Sequence, residues 1–194
     1  MVAGVRTFSL EDTFLEPQAL RPPPTRHALL LFLLALAVLL HFGTIGWGEL
    51  SDGVEGQFAG GARAMLQTQQ WLSPTINSIP AVGPPLTYWL IAASYKLFGI
   101  SAAAARVPIA LAMVASIALT FLIGEKLSGY WRGFMAGLLH LGFCGAFLFN
   151  RMVASEPIFN AFIEGAIFCL VCGYQRRRFR WLWFTGFWLG ASLA

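Results

Sequence analysis

The chain has 194 residues, of which 57% are hydrophobic and only 11% are charged. A soluble domain carries about a quarter charged residues, so this composition and a mean hydropathy of +0.67 exclude an ordinary soluble domain and indicate a membrane protein. The net charge of +4 is small, and the basic residues form short clusters instead of the continuous basic face of a nucleic-acid-binding protein. We therefore expect membrane lipids as partners and no nucleic acid.

The first 27 residues are polar and contain the proline-rich segment Arg21–Arg26, which predicts a non-helical, disordered tail in the cytoplasm. The apolar run at residues 28–46 that follows is long enough to cross a bilayer. A cleaved signal peptide is the alternative interpretation. Against it, the run exceeds the apolar stretch of about 7–15 residues that signal peptides use, and no A-x-A cleavage site follows.

A polar interval, Trp47–Pro85, and a short apolar run, Leu86–Phe98, follow this first span, and each contains a segment with helical character. A helix predicted over residues 55–69 places four apolar side chains on one stripe, which suits a helix that lies on the membrane surface. The stripe is formed by Phe58, Ala62, Met65 and Leu66. The apolar run Leu86–Phe98 is also too short to span, because as a helix it would extend about 20 Å against a hydrocarbon core of about 30 Å.

Two short basic segments, residues 125–132 and 175–180, determine the expected topology. The positive-inside rule places both in the cytoplasm with the N-terminal tail. An even number of crossings must then separate the tail from Lys126, and the first two long apolar runs already supply two. Leu86–Phe98 should therefore not cross, and residues 47–101 form an outer loop with surface helices.

The predicted fold class is an all-α, polytopic bundle of transmembrane helices with interfacial helices in its first outer loop. The predicted spans are residues 28–46, 102–124, 133–150, 157–175 and an incomplete 180–194. Because the chain ends inside its last apolar run, we expect residues 28–194 to be the N-terminal part of a longer transmembrane domain.

This topology brings acidic residues from distant parts of the sequence to the outer face. Asp52 and Glu55 are three residues apart at the start of the first surface helix, so they can share a face. Glu156 lies in the turn Arg151–Pro157 between two spans. The plainer interpretations are solvated loop acids for the first two and a helix-dipole charge for Glu156.

Ionisable residues also occur within predicted spans. Glu164 continues a line of Glu156 and Asn160 along one helix face at a spacing of four residues, and a carboxyl inside a membrane helix indicates a functional or bundle-facing polar role. A hydrogen-bonded packing residue is the alternative for Glu164. For His41 and His140 we expect hydrogen bonds between helices.

The three cysteines, Cys144, Cys169 and Cys172, lie in apolar stretches. This placement disfavours a disulfide framework. The last two form a CxxC with no histidine at zinc-site spacing, so we expect them to be small residues on a helix face.

Several segments, in this order, resemble one known family. They are ARAMLQTQQWLSP at 62–74, GPPLTYWLIAASYKLFG at 83–99, AAAARVP at 102–108 and RMVASEP at 151–157. From about Ala28 onward the chain is similar to the protein-O-mannosyltransferase-like membrane glycosyltransferases, which have a GT-C fold and include the bacterial aminoarabinose–lipid A transferases.

The resemblance implies transfer of a sugar from a polyprenyl-phosphate carrier to a lipid or protein acceptor at the periplasmic face of the bacterial inner membrane. It implies a carboxylate that acts as general base and cations that stabilise the departing phosphate. The carboxylate candidates are Glu55, Asp52 and Glu156. The phosphate-binding candidates are Arg106, Arg151 and Arg63. The candidates for supporting these groups are Asn160, Glu164 and Tyr88.

The chain departs from the family pattern at two positions. Where relatives have a lysine before the Pro-Pro pair, in the style of EKPPL, this sequence has Gly83, and the adjacent Asp-Glu pair of many relatives is Val54-Glu55. No metal ligand set is implied with certainty, and a divalent ion is left open as a cofactor. The alternative function is a non-catalytic transporter, flippase or degenerate relative that binds lipid-linked sugar, with Glu164 near the membrane midplane.

Overall fold

The computed structural model describes residues 24–46, 50, 53–71, 75–76, 79–80, 83–143, 153–177 and 180–192. In these ranges the helices are α1 (Pro24–Gly43), α2 (Val54–Thr68), α3 (Pro85–Phe98), α4 (Ala102–Ser128), α5 (Tyr130–Gly142), α6 (Glu156–Arg176) and α7 (Arg180–Ser192). A short antiparallel pairing of β1 (Thr75–Ile76) with β2 (Ile79–Pro80) lies between α2 and α3. The predicted all-α bundle is confirmed.

Three helices in the described part of the chain are long and apolar enough to cross a membrane: Thr25–Gly43 within α1, Ala102–Ser128 and Glu156–Arg176. Helices α5 and α7 have 13 described residues each. The predicted spans 133–150 and 180–194 both continue outside the described residues, so their full length stays a prediction.

Helix α1 begins at Pro24, earlier than predicted. The expectation that Arg21–Arg26 is non-helical is wrong for its last three residues, because proline is tolerated in the first turn of a helix, where its missing N–H has no partner to lose. Arg26 also gains a partner there. Its Nε lies 2.5 Å from Oε1 of Glu125, and its Nη2 donates to Oε2 at 3.0 Å.

Contacts at the helix ends establish the relative directions of the long helices. The Arg26–Glu125 pair joins the start of α1 to the end of α4, while Arg106 near the start of α4 donates to the carbonyl of Ile45, just after α1, at 3.3 Å. Helices α1 and α4 are therefore antiparallel. Helix α6 is parallel to α4, since the side chain of Gln175 donates to the carbonyl of Lys126 at 2.7 Å.

The bundle thus has two distinguishable ends. We call them the Arg26 end (Arg26, Glu125, Gln175) and the Glu55 end (Glu55, Arg106, Val153). The start of α1 and the end of α4 share the Arg26 end, which is the relation that the charge pattern requires if the 14-residue helix α3 does not cross. Which end faces the cytoplasm stays a sequence-based prediction.

At the Arg26 end a single residue, Gly129, separates α4 from α5. The short basic segment 125–132 was predicted as a loop, which is wrong in extent, because all of its residues except Gly129 lie in the two helices. Close approach of small residues permits the tight hairpin. A Cβ on Gly133 would lie 2.5 Å from the carbonyl oxygen of Phe121, and a Cβ on Gly124 would lie 2.8 Å from the Cα of Gly133.

The helices pack around two separate apolar cores. One joins α1, α4 and α5 around Leu33, Ile117 and Phe121. The other packs α2 against α3 and the first turn of α4 and supports the Glu55 end. It contains the predicted α2 stripe, with Phe58, Ala62 and Met65 buried and Leu66 partly buried.

Candidate active site at the Glu55 end

Glu55 lies in the first turn of α2, and its carboxylate is almost completely buried, with 4% of the side chain exposed. Oxygen Oε1 accepts a hydrogen bond from the backbone N–H of Val153 at 2.8 Å. The same oxygen is 3.6 Å from Nε of Arg106, whose side chain is 10% exposed. Burial of a carboxylate is costly unless a cation and hydrogen-bond donors compensate it, and both are present here.

Arg106 reaches this position because of how α4 starts. Ser101 precedes the helix and caps it, its hydroxyl accepting from the N–H of Ala104 at 3.1 Å. Pro108 lies in the second turn and has no N–H to donate to the carbonyl of Ala104. The buried hydroxyl of Ser94 on α3 donates to that carbonyl instead, at 2.6 Å. The carbonyl that the proline leaves without its helical N–H thus attaches α3 to α4, about half a turn from Arg106.

Tyr88 forms the apolar support between α2 and α3. Its ring is 1% exposed and lies 5.1 Å, centroid to centroid, from the ring of Phe58. Gly61 makes room for it, since a Cβ there would lie 2.5 Å from Cε1 of Tyr88. Burial raises the pKa of the Tyr88 hydroxyl. Tyr88 is therefore a neutral supporting residue in the wall of the site.

Gly83, at the position where the resemblance implies a lysine, has a φ of +143°. This is a backbone conformation that L-residues with side chains rarely adopt. A Cβ at this position would also lie 3.0 Å from the ring carbon Cε1 of Phe58. A lysine at this position would therefore have a strained backbone and a tight contact with the Phe58 ring.

Aromatic residues form an anchor beside the site. The indole N–H of Trp89 donates to the carbonyl of Trp71 at 2.7 Å, and Nζ of Lys96 lies 5.0 Å from the centroid of the Trp71 ring. Arg63 lies on the exposed face of α2, about 12 Å along the helix from Glu55. Burial raises the pKa of Tyr95, and the nearby charge of Arg63 opposes that shift. The structure does not bring Arg63 to Glu55.

The remaining predicted residues are distributed as follows. Glu156 is the first residue of α6 and is exposed, three residues after Val153. Asp52 and Arg151 lie outside the described residues. Asn160 and Glu164 contact Ser116 in the middle of the bundle. The contribution of the Val153 N–H had no signal in the sequence, because any residue except proline could supply it.

The histidines His41 and His140 lie within hydrogen-bonding distance of helix groups, and the described cysteines are buried. We expected His41 to bond to another helix, but its Nδ1 lies 3.0 Å from the carbonyl of Ala37 in its own helix. His140 pairs with Thr120 of the neighbouring helix. Cys169 and Cys172 are free and buried on α6, as expected of small packing residues. Cys144 lies outside the described residues.

Among the described residues, no group of three His, Cys, Asp or Glu side chains converges as a metal site would require. The sequence left a divalent ion open as a cofactor, without naming its ligands. The chemistry available at this site is that of the Glu55 carboxylate and the Arg106 guanidinium. A carboxylate can accept a proton from a hydroxyl, and a guanidinium can bind an anionic phosphate.

Comparison with known proteins bears on this arrangement. A family model described as dolichyl-phosphate-mannose-protein mannosyltransferase matches residues 82–194, more than half of the chain. An uncharacterized protein of Aquifex aeolicus (strain VF5) is 28% identical over 151 residues, which cover 76% of this chain and 30% of that protein.

Two crystal structures of ArnT from Cupriavidus metallidurans have the same fold over most of the chain. The apo structure has a TM-score of 0.76 at 18% identity and covers 87% of this chain and 32% of ArnT. The structure bound to undecaprenyl phosphate has the same TM-score and identity and covers 85% and 32%. The chain thus spans about a third of the length of these relatives. With its three candidate spans, the chain is a multi-pass membrane protein that belongs to the dolichyl-phosphate-mannose-protein mannosyltransferase family.

Proposed function

We propose that the protein is a membrane glycosyltransferase that transfers a sugar from a polyprenyl-phosphate carrier to a hydroxyl of a lipid or protein acceptor at the periplasmic face of the bacterial inner membrane. The observation that carries the proposal is the buried contact of Glu55 with Arg106 and the Val153 N–H. This contact lies at the end of the bundle opposite Arg26, where the outer face is predicted.

Two comparisons support the donor class. The family is described by a polyprenyl-type donor, dolichyl phosphate mannose. The ArnT structure with the same fold holds undecaprenyl phosphate, which is a polyprenyl phosphate. A donor of this class has an anionic phosphate at the membrane surface, and Arg106 is a buried cation at one end of a membrane bundle.

In the proposed reaction, the acceptor oxygen attacks the anomeric carbon, the bond from that carbon to the carrier phosphate breaks, and the polyprenyl phosphate leaves. Glu55 takes the proton of the acceptor hydroxyl. Arg106 neutralises charge on the departing phosphate. A phosphate that binds the guanidinium also weakens its attraction to Glu55, which releases the carboxylate for proton transfer.

The other sequence-predicted residues complete the proposal. Asp52 and Glu156 assist as acids near the acceptor, and Arg151 and Arg63 contribute positive charge along the path of the donor phosphate. Tyr88 supports α2 beneath Glu55 through its contact with Phe58. The proposal specifies the class of donor, a polyprenyl-phosphate-linked sugar, and the class of acceptor, a lipid or protein hydroxyl.

The test is a transfer assay on the full-length protein in lipid nanodiscs, with one labelled sugar presented on undecaprenyl phosphate or as a nucleotide sugar. We expect product only from the lipid-linked donor, and a lower rate for Glu156→Gln. Transfer from the nucleotide sugar alone, or none from a panel of lipid-linked pentoses and hexoses, would overturn the proposal.

The alternative is a transporter or flippase that moves lipid-linked sugar without transferring it, and Glu164 is the residue that motivates it. In the described structure its carboxylate is held by Ser116 and Asn160. Transbilayer movement of the donor in sealed vesicles, with no product formed, is the result that would favour this alternative.

A further inference from the structure

Polar side chains from three helices meet in the middle of the bundle, well away from the Glu55 end. Ser116 is about 21 Å from the start of α4 and about 18 Å from its end at 1.5 Å per residue. His140 is about 15 Å along α5, and Glu164 is about 12 Å along α6. The Glu164 cluster, as we call it, consists of Ser116, Thr120, His140, Asn160 and Glu164.

The cluster is a closed set of hydrogen bonds between α4 and α6. The hydroxyl of Ser116 donates to Oε2 of Glu164 at 2.6 Å. The amide of Asn160 donates to the Ser116 oxygen and to Oε1 of Glu164, both at 3.0 Å. Every donor hydrogen of Ser116 and Asn160 is thereby used, and both carboxylate oxygens of Glu164 accept.

Helix α5 joins the cluster through its histidine. Nδ1 of His140 is 2.8 Å from the hydroxyl oxygen of Thr120 and 3.8 Å from Oε1 of Glu164. Ser116 is completely buried, and few alternative partners are available within a membrane bundle, so leaving one of these groups without its hydrogen bond is costly. The cluster therefore favours one relative position of the helices.

The same two helices also carry the two parts of the candidate site. Helix α4 carries Arg106, about 15 Å from Ser116. The segment that leads into α6 supplies the Val153 N–H, which binds Glu55, and Asn160 follows seven residues later. Apolar packing is less directional than hydrogen bonding. Two polar attachments, one direct at Ser116 and one through Glu55 of α2, oppose sliding and rotation of the α6 segment on α4.

We propose that Glu164 is a positioning residue: with Ser116 and Asn160 it fixes the register of α6 on α4 and so holds the Val153 N–H against the carboxylate of Glu55. Glu164 touches no reacting atom in this account. The kinetic part of the inference rests on the proposed function. The structural part, the coupling of α4 to α6, does not.

The structural part is tested by thermal unfolding of the full-length protein in detergent. Ser116→Ala and Glu164→Leu should each lower the Tm, and the double variant should lower it by clearly less than the sum, because either change breaks the same hydrogen bonds. The control combines Ser116→Ala with Leu170→Ala, a change on the exposed side of α6, for which we expect additive shifts. Additive shifts for the first pair would overturn the coupling.

The positioning role is tested by transfer kinetics. Glu164→Leu should lower kcat on the order of tenfold to a hundredfold, since small displacements of reacting groups have effects of that size, while KM for the lipid-linked donor is unchanged. Ser116→Ala, the smaller change, should show the same pattern more weakly and serves if Glu164→Leu does not fold. Glu164→Gln should retain most activity, because a carboxamide can accept from Asn160 and donate to the Ser116 oxygen once that hydroxyl turns.

Equal kcat for Glu164→Leu and wild type, in a folded and active protein, would refute the positioning role and leave the proposed function standing. A wild-type protein with no transfer from any lipid-linked donor would refute the proposed function. The Tm comparison would still decide whether the cluster couples α4 to α6.

Discussion

Arg26 and Glu125 meet at one end of the bundle through two nitrogens and two carboxylate oxygens, at 2.5 and 3.0 Å. At the other end, 3.6 Å separates Nε of Arg106 from Oε1 of Glu55, which also accepts from a backbone N–H. The first pair is partly exposed, with side-chain exposures of 25% and 15%, whereas the second is buried, with 10% and 4%. In the Arg26 pair, two guanidinium nitrogens contact the two carboxylate oxygens of Glu125, and the pair joins α1 to α4. The Glu55 pair buries opposite charges at the end of the bundle where we propose that phosphate binding and proton transfer take place.

The largest expected difference between the two ends concerns their arginines. Arg106→Ala removes a buried cation that lies 3.6 Å from the carboxylate of Glu55, and we expect it to lower the free energy of unfolding by about 3–5 kcal/mol. Arg26→Ala leaves Glu125 partly exposed, so we expect a loss of about 1 kcal/mol or less. Denaturant titration of both variants in the same detergent measures this difference. Equal losses would contradict the contrast in burial between the two pairs.

Close helix packing at the Arg26 end should give the next largest effect. Gly133→Ala places a methyl group against the backbone of α4, where nothing flexible can yield, and we expect a loss of about 3 kcal/mol. Gly142→Ala, in the same helix, is the control because its Cβ would meet nothing within 4 Å. Similar stability of the two variants would show that α4 and α5 do not require close contact.

The third comparison introduces, at Gly83, the lysine that the resemblance implies for this position. We expect Gly83→Lys to lower the free energy of unfolding by about 2 kcal/mol through its backbone conformation, with a further cost from the contact with Phe58, and to give no gain in transfer rate. Gly53→Ala separates the two effects, since Gly53 also has a positive φ, +113°, but open space around it. A stable and faster Gly83→Lys variant would show that the position accepts a phosphate-binding side chain.

The smallest effect is expected where Ser94 replaces the hydrogen bond that Pro108 cannot make. Ser94→Ala leaves the buried carbonyl of Ala104 without that donor, and we expect a loss of about 1 kcal/mol. Adding Pro108→Ala returns a backbone N–H to the carbonyl, so the double variant should recover part of the lost Tm. If Pro108→Ala lowers the Tm further in the Ser94→Ala background, the proposed compensation is wrong.

Hydrophobic periodicity predicted the parts of the fold that depend on one helix face. The stripe of α2 was predicted from its periodicity, but as the apolar side of a helix on the membrane surface; in the structure Phe58, Ala62 and Met65 pack into a core with residues of α3 and α4. Residue type alone left a solvated loop acid as the plainer interpretation of Glu55, and the resemblance to the family named it as a candidate catalytic residue. The start of α1 was misplaced because the partner of Arg26 is 99 residues away.

The partners of the polar groups could not be predicted, because they depend on contacts between distant segments. The N–H of Val153 is 98 residues from Glu55, and Ser116 is 48 residues from Glu164. Periodicity predicts which face of a helix is buried, but it does not predict which helix covers that face or at what register. Ser116 in particular is one small polar residue in a long apolar helix and gave no signal until α6 was seen beside it.

The most direct measurement compares Glu55→Gln with Glu125→Gln for both transfer rate and Tm in the full-length protein. Each substitution removes one negative charge, at opposite ends of the bundle, with almost no change in side-chain volume. For Glu55→Gln we predict a loss of transfer rate of roughly 10²–10⁴-fold, the range for a lost general base. For Glu125→Gln we predict a wild-type transfer rate with a slightly lower Tm. Wild-type transfer by Glu55→Gln, or an equal loss in both variants, would contradict the central claim that the chemistry belongs to the Glu55 end.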